Sequence, residues 1–486
     1  MRRALPLAAL AALGLTVLLG AGGRDSAGVP TYNRDVAPIL DAKCASCHRL
    51  GGLAPFSLTT GSSARAHAAA IVAMTKAGLM PPWMPGPDSP AYVGQAQRRL
   101  TPSEIDTLAR WAAGGAPLGP PTARRSQPAP AAGLSGPGNT VPLQPPKPYL
   151  PHATGGALDD YHCFLLDPKL AAPAYVTGAL IEPQRAAIVH HVILYEAVGA
   201  QVAAAERLNA ASGGKGWTCF GGPNLPLDLS GSDALLRLGS PQWVAAWVPG
   251  HVTNSLPSGL GVRLERGAKI VMQVHYNLID GAQPDRSRAV LRLRPAAAPL
   301  RPLETMLVAA PVELPCPAGA AGPLCSRTAA LADETAKYGA GPASLPNALL
   351  RLCGKTLADY PADPGAATAV QTSCDRAVQQ PLTVYGVGGH MHLRGRDVSL
   401  VLDPGTPRQQ VLLHIPRWDF HWQDVYYLRR PVRLAPGDTV RLSCSFDNSA
   451  DAQPVVGDAQ LPPRYVLWGE GTTDEMCLGV LAVTVG

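Results

Sequence analysis

Beyond residue 115 the chain shows almost no long helical pattern and consists of short apolar, β-rich runs parted by turns. Gly and Pro number 50 each and only 16% of residues are charged, so long helices rich in Leu, Lys and Glu are excluded there. Strands are expected at 187–195, 243–248, 269–278, 289–293, 382–387, 398–402, 439–445 and 478–485. No repeat period is visible. A β region of roughly 330 residues is too long for one comfortable sandwich, so two are expected, divided near residue 305.

The first part of the chain reads differently. Arg2 and Arg3 precede an apolar stretch running to about Gly22, which has the character of an export signal over 1–23. An uncleaved anchor is the alternative, because roughly 19 apolar residues just span a bilayer. Without the signal, the formal charge of +6 becomes about +4, since Arg2 and Arg3 are its only charged residues. No block of Lys or Arg stands out, which removes the electrostatic case for nucleic acid. The expected location is periplasmic or secreted, with no stable membrane insertion unless the signal is retained.

Ten cysteines agree with export. Two form Cys44-Ala45-Ser46-Cys47-His48, where paired thiols followed by an imidazole suit covalent haem attachment with His48 on the iron. A zinc or redox Cys-x-x-Cys is the competing reading. The second iron ligand is assigned to Met80, on the stiff loop Met80-Pro81-Pro82-Trp83, with Met84 and Met74 as alternatives. Thr101-Pro102-Ser103-Glu104 reads as a capped start to a helix through Ala113 that buries Ile105, Leu108 and Trp111. Residues 30–118 resemble a small all-α class I cytochrome c with one covalently bound haem c. The segment 119–150, dominated by Pro, Ala, Gly and Ser, is expected to be a semi-stiff tether. The other eight cysteines allow about a hundred pairings. The favoured set is Cys163–Cys219, Cys316–Cys325, Cys353–Cys374 and Cys444–Cys477.

The chemistry concentrates in four places. Gly389-His390-Met391-His392 follows an apolar run, and on a continuing strand the two imidazoles share one face. His190-His191 are adjacent, so a joint grip on one ion requires a bulge or a strand end there. His275 lies in Gln273-Val274-His275-Tyr276, and Met476 in Asp474-Glu475-Met476-Cys477. Taken singly, each has a bland explanation as a core or surface residue. Taken together, one site of three imidazoles and another of two imidazoles plus a thioether suit copper that cycles between oxidation states. Non-haem iron and manganese are disfavoured, because no carboxylate is needed. Zinc on three imidazoles is chemically sound but leaves Met476 without a role. His67, His152, His162, His251, His414 and His421 lack convergent partners and read as ordinary side chains, whereas Arg394 and Gln273 are placed to support ligands.

In their order along the chain, His190-His191, Gln273-Val274-His275-Tyr276, Gly389-His390-Met391-His392 and Asp474-Glu475-Met476-Cys477 resemble the copper type II, ascorbate-dependent monooxygenases, a family that includes peptidylglycine α-hydroxylating and dopamine β-monooxygenases. The likeness spans roughly residues 155–486, with Trp247 and Leu256-Pro257-x-Gly259 adding to it. It implies two antiparallel, jelly-roll-like β-sandwiches facing each other across a wet cleft, at 151–305 and 306–486. His190, His191 and His275 would hold an electron-donating copper in the first. His390, His392 and Met476 would hold the oxygen-activating, catalytic copper in the second, with Cys444–Cys477 pinning the strand beside Met476. The implied partners are a small-molecule substrate, O2 and an external donor, either an ascorbate-like reductant or a redox protein. The fused haem is expected to relay or replace that donor.

Two departures bear on substrate. The peptide-amidating enzymes carry an Arg two residues before the His-x-His and a Tyr four after the Met, and here these are Gly388 and Val480. A glycine-ended peptide is therefore not the expected substrate. Residues 311–380, with four cysteines and no His or Met, read as an insertion stapled by its own disulfides. The rival reading from another class is a non-catalytic copper- and haem-binding electron carrier. A blue-copper centre, and with it a nitrite or nitric oxide reductase, is disfavoured because no Cys is followed by suitably spaced His and Met.

Overall fold

A computed structural model describes residues 28–50, 54–121, 134, 136–153, 158–226, 240–248, 255–279, 281–360, 370–456 and 459–486. The proposed export signal at 1–23 lies outside the described residues, as do His251 and most of 122–135. Most of the described chain is β-sheet, with few helices.

Helices at Tyr32–Val36, Ala37–Lys43, Gly61–Ala66, Ala68–Lys76 and Pro102–Ala113 form the first unit around Tyr32, Leu40, Leu108 and Trp111. The last helix starts on the expected capping box: Glu104 N–H donates to Thr101 Oγ1, and Thr101 N–H to the Glu104 carboxylate. Ile105 is only half-buried, whereas Leu108 and Trp111 are fully enclosed.

Two pairs of sheets follow. In the first pair, Trp217–Thr218, Asp159–Leu166, Lys269–Asn277, Val189–Ala197 and Trp243–Trp247 lie side by side. They face a sheet of Asn139–Leu143, Arg288–Pro295, Ala174–Glu182, Leu260–Leu264 and Arg301–Pro302. Val176, Leu194, Val262, Met272 and Leu291 fill the space between. The strand Asn139–Leu143 corrects the tether reading of 119–150, because it pairs antiparallel with Arg288–Pro295 and is therefore part of the first sheet pair. Pro142 within it does not prevent this, since the strand lies at the sheet edge and has a ladder partner on one side only.

The second pair sets Glu304–Ala309, Leu478–Val485, Leu382–His390 and Tyr426–Leu434 against Val370–Ala377, Thr439–Phe446, Gly395–Leu402 and Gln410–Ile415. The chain passes from the first pair of sheets to the second between Arg301–Pro302 and Glu304–Ala309. Thr439–Phe446 alternates half-buried with buried residues, as a strand with one core face must. Lys269–Asn277 is buried on both faces instead, because the helix Ala200–Ala211 covers its outer side through Ala204 and Ala205.

All four favoured disulfides are present. Cys353–Cys374 joins the end of helix Leu345–Leu352 to Val370–Ala377. That strand falls inside the 311–380 stretch expected to be an insertion, yet it pairs along its length with Thr439–Phe446, so the insertion ends before it. Its helix Arg327–Tyr338 lays Asp333 and Glu334 against Arg464, which also reaches Asp474. Among the described residues no helix is long and apolar enough to cross a membrane.

The helical unit is docked on the second sheet pair. Val93 N–H donates to Tyr427 O at 2.7 Å, Arg429 N–H to Ala91 O at 3.0 Å, and the buried Tyr92 hydroxyl to Leu412 O at 2.7 Å. His414 stands between Asp88 of the helical unit, at 2.6 Å, and Asp397, at 2.8 Å. Burial pulls its pKa down, but the bonds to Asp397 and Asp88 push it up by more, leaving it above the ordinary imidazole value. A raised folded pKa contributes stability fully below about 6.5, the unfolded value, and loses it as pH rises through the folded value. The site is partly exposed, so its contribution is at most about 1 kcal/mol. Amide exchange over 86–93 is therefore expected to speed up as pH rises above about 6.5, beyond the intrinsic base-catalysed rise. His414→Asn should remove that excess, and an unchanged excess in the variant would refute the assignment.

Candidate metal centres

Strand register builds the first group. Val189–Ala197 and Lys269–Asn277 pair so that His191 faces His275, and the register shifts between Val189 and His191. The extra residue at His190 is the required bulge, which turns two adjacent side chains to one side. The three Nδ1 atoms lie 3.2 Å (His190–His275), 3.3 Å (His190–His191) and 3.4 Å (His191–His275) apart. Imidazole nitrogens bound at about 2.0 Å to a four-coordinate ion would be about 3.3 Å apart. The triangle already has the size of a metal site, and among the described residues it is the group of three His, Cys, Asp or Glu side chains close enough to share an ion.

Protonation suits the same purpose. His275 Nε2 lies 2.8 Å from Asp159 Oδ1, so that nitrogen carries the proton and Nδ1 keeps its lone pair. Burial, and then the neighbouring His275, hold His190 and His191 well below the ordinary imidazole pKa, so both are neutral at physiological pH. Burial alone would raise the Asp159 carboxyl, but bonds from His275 and Thr472 outweigh it and leave the group ionised. Tyr161 stacks on His275 at 3.9 Å, and its hydroxyl donates to Glu470 O.

The second group forms where two central strands end together. His390 is the last residue of Leu382–His390 and pairs with Leu478, two residues after Met476. His392 lies just past the strand, so the two rings do not share a strand face as expected; they stand 5.1 Å apart at 82°. Gly389 and Gly479 are paired here, and a Cβ on either would press on Val398 or Leu400 of the opposing sheet. Their hydrogens let the sheets close tightly at the histidine end.

Both nitrogens on the far side of these rings are free. His390 Nδ1–H donates to Gln423 Oε1 at 2.6 Å and His392 Nδ1–H to Asp474 O at 3.2 Å, leaving each Nε2 as the lone-pair nitrogen. Burial draws His390 down to about 4 and His392 well below its ordinary value. Met476 is buried and shares a cavity wall with His390, while its neighbour Cys477 is bonded to Cys444. Glu475, fully enclosed, accepts from the backbone N–H of His392 and Arg394. Arg394 in turn donates to Asn448 Oδ1, Gln453 Oε1 and Thr473 O. The turn bearing His392 and the segment bearing Met476 are thus held to each other by one buried network.

A cavity of about 390 Å³ touches both groups, with Tyr161, His191, Trp247, Gln273, His390 and Met476 among its walls. That is the size of a small-molecule site, and its lining is mainly apolar. Gln273 is fixed by Tyr195 and by the carbonyls of Cys219 and Gly222. Between the groups stands Phe420, stacked on His190 at 4.3 Å and edge-on to His392 at 5.8 Å. An aromatic ring therefore occupies part of the space expected to be an open cleft. A second link runs beside it: Thr472 N–H and Oγ1–H both donate to the Asp159 carboxylate that holds His275. Asp159, Gln423, Phe420, Glu475 and Thr472 are not singled out by sequence, because nothing local marks a residue whose partner lies tens to hundreds of positions away.

In the helical unit the thiols of Cys44 and Cys47 are unpaired. His48 Nδ1 lies 3.2 Å from Phe56 O, so it donates there and leaves Nε2 free for an iron. This donor set fits a covalent haem. Met80 is half-buried at a loop start. Met84 is less suited, since its sulfur accepts from Asp419 N–H at 3.4 Å, and Met74 lies exposed on its helix. The remaining described histidines have ordinary partners: His67 stacks on Phe56, His162 bonds Lys215 O, His152 meets Tyr149, and His421 pairs with Asp419.

Among solved structures, the chain is similar to PNGase F, a glycosylasparaginase from Flavobacterium meningosepticum, at 7% identity and TM-score 0.25, covering 71% of this chain and 96% of that one. It is also similar to an allantoicase at 12% identity and TM-score 0.16, covering 66% and 77%. Scores this low bear on neither fold nor function. No curated protein matches the sequence. Residues 359–482, which carry His390, His392 and Met476, match the family model for the C-terminal domain of the copper type II ascorbate-dependent monooxygenases.

Proposed function

We propose that the protein is an exported copper-dependent monooxygenase that hydroxylates a C–H bond of a small, largely apolar molecule, with two copper ions and one covalent haem c. The observation that carries this reading is a single apolar cavity bordered by two groups of histidines, with hydrogen bonds setting the lone-pair nitrogens of His275, His390 and His392. His190, His191 and His275 would hold one copper, and His390, His392 and Met476 the other. When bound, the pair supplies two one-electron steps, placing one oxygen atom of O2 in the substrate and reducing the other to water.

The chain's own residues do the positioning. Asp159 fixes the tautomer of His275, and Gln423 and Asp474 those of His390 and His392. Tyr161, Trp247 and Met476 give the substrate an apolar wall. Gly388 and Val480 leave no cation or hydroxyl at the two places where the peptide-amidating enzymes grip a carboxylate, which favours an uncharged substrate. Cys44, Cys47, His48 and Met80 would hold the haem, and the external donor would be an ascorbate-like reductant or a redox protein. Four disulfides are consistent with a periplasmic or secreted protein.

Metal analysis followed by turnover of apolar candidates under isotopically labelled O2 tests the reading. The expected result is two coppers, one iron and one labelled oxygen atom per product molecule. Full metal loading with reversible haem and copper redox, but no label in any product, would replace it with the non-catalytic electron-carrier reading.

A further inference from the structure

The loop 418–424 has the helical unit on one side and both histidine groups on the other. On the first side, Asp424 is ion-paired with Arg98. Arg98 also donates to Pro82 O at 3.3 Å, and its guanidinium lies 5.6 Å from the centre of the Trp83 ring. Trp83 meets Tyr426 edge-on at 5.2 Å, which fixes the stretch after Met80 against the sheet. On the second side, the residue before Asp424 is Gln423, whose Oε1 accepts from His390 Nδ1–H at 2.6 Å.

These contacts make an unbroken chain. Met80, Pro81 and Pro82 are covalently joined, and Pro82 O is bonded to Arg98. Arg98 pairs with Asp424, Asp424 is joined to Gln423, and Gln423 is bonded to His390. A second branch leads from Met84 through Asp419 to Phe420, but it reaches His190 only across a 4.3 Å ring stack. Electronic coupling falls off more slowly through covalent and hydrogen bonds than across van der Waals gaps, so the first branch is the better conductor.

Resting on the function proposed above, we infer that electrons from the haem unit enter at the His390 centre, through Arg98, Asp424 and Gln423, and not at the three-histidine centre. In this step one electron leaves a ferrous c-type haem and reduces a cupric ion to cuprous, with no bond made or broken and no proton moved. Arg98 is a positioning residue: its fork holds Pro82 and Asp424 together, a task that needs two directed donors.

The test uses the full-length protein loaded with haem and copper. The haem is reduced by a light-triggered one-electron donor, and its reoxidation by copper is followed optically. Arg98→Gln should slow that transfer roughly tenfold or more. Arg98→Lys should restore part of it, while the haem potential and the cupric resonance signals stay unchanged. Phe420→Leu should leave the rate within about twofold. Slowing by Phe420→Leu but not by Arg98→Gln would overturn the route in favour of the aromatic branch. An unchanged rate in Arg98→Gln, with faster amide exchange over 83–98 showing that docking was loosened, would overturn it as well. A chain that carries no haem would overturn the route together with the haem part of the function; a loaded chain indifferent to Arg98 overturns the route alone.

Discussion

Replacing His392 by alanine is expected to lower product formation by more than about a hundredfold and to remove one of the two coppers while the other stays bound. His392 brings one of the two imidazoles of its group, and its ring is held by a single bond to Asp474 O. Losing even a residue that merely supports a ligand typically costs about 10–100-fold in affinity or activity, so losing the ligand should cost more. The three-histidine group lies on other strands, with its own carboxylate, and should keep its ion. His191→Ala is the mirror experiment, expected to spare the His390 centre. Copper stoichiometry and cupric resonance spectra of the two variants, beside turnover, separate the sites. A His392→Ala protein that retains both coppers and normal turnover would remove this group from the active site.

Arg394→Met should be the most destabilising single change in the second sheet pair, at about 3–5 kcal/mol. Arg394 is fully buried, and its three side-chain bonds go to Asn448, Gln453 and Thr473 O. Burial draws its pKa down to about 10, which still leaves it charged at neutral pH. A methionine fills the volume but takes the arginine donor from Gln453 Oε1 and Thr473 O, while Asn448 Oδ1 keeps its bond from Gln453; an unsatisfied buried acceptor costs about 1–3 kcal/mol. Arg394→Lys should not rescue, since one ammonium cannot reproduce the fork. Thermal unfolding of the metal-free protein should show a fall of roughly 10 °C. A shift below a degree or two would mean that the network is not what holds the turn to the Met476 segment.

Several features could be read from sequence because they are local. The capped helix Pro102–Ala113 and the strand Leu478–Val485 announce themselves through neighbouring residues. The need for a bulge at His190-His191 follows from strand alternation alone, and the register shift supplies it. Other features depend on the folded surroundings. The strand Asp159–Leu166 is buried almost throughout, so it lacks the polar alternation that marks a half-exposed strand. The helix Ala200–Ala211 is alanine-rich with no strong apolar stripe, and its place is fixed by the sheet it covers. The edge strand Asn139–Leu143 looks like linker because its partner lies some 150 positions away. His392 was placed on a strand that in fact ends at His390, since the bonds from its backbone and Arg394 to Glu475 turn the chain there. Of the candidate ligands, His190, His191 and His275 meet nitrogen to nitrogen, and His390 and Met476 border one cavity. Of the groups that orient them, Asp159 starts a strand and Gln423 lies in a loop, and neither carries a sequence signature.

The grip of Asp159 on Thr472 limits how the molecule can move. Asp159 belongs to the first pair of sheets and Thr472 to the segment leading into Met476, and two hydrogen bonds clasp them at the metal end. The halves therefore cannot yawn open like a shell from that end without first undoing the clasp and freeing the proton partner of His275. The interval between the two histidine groups is thus set in advance by the protein scaffold.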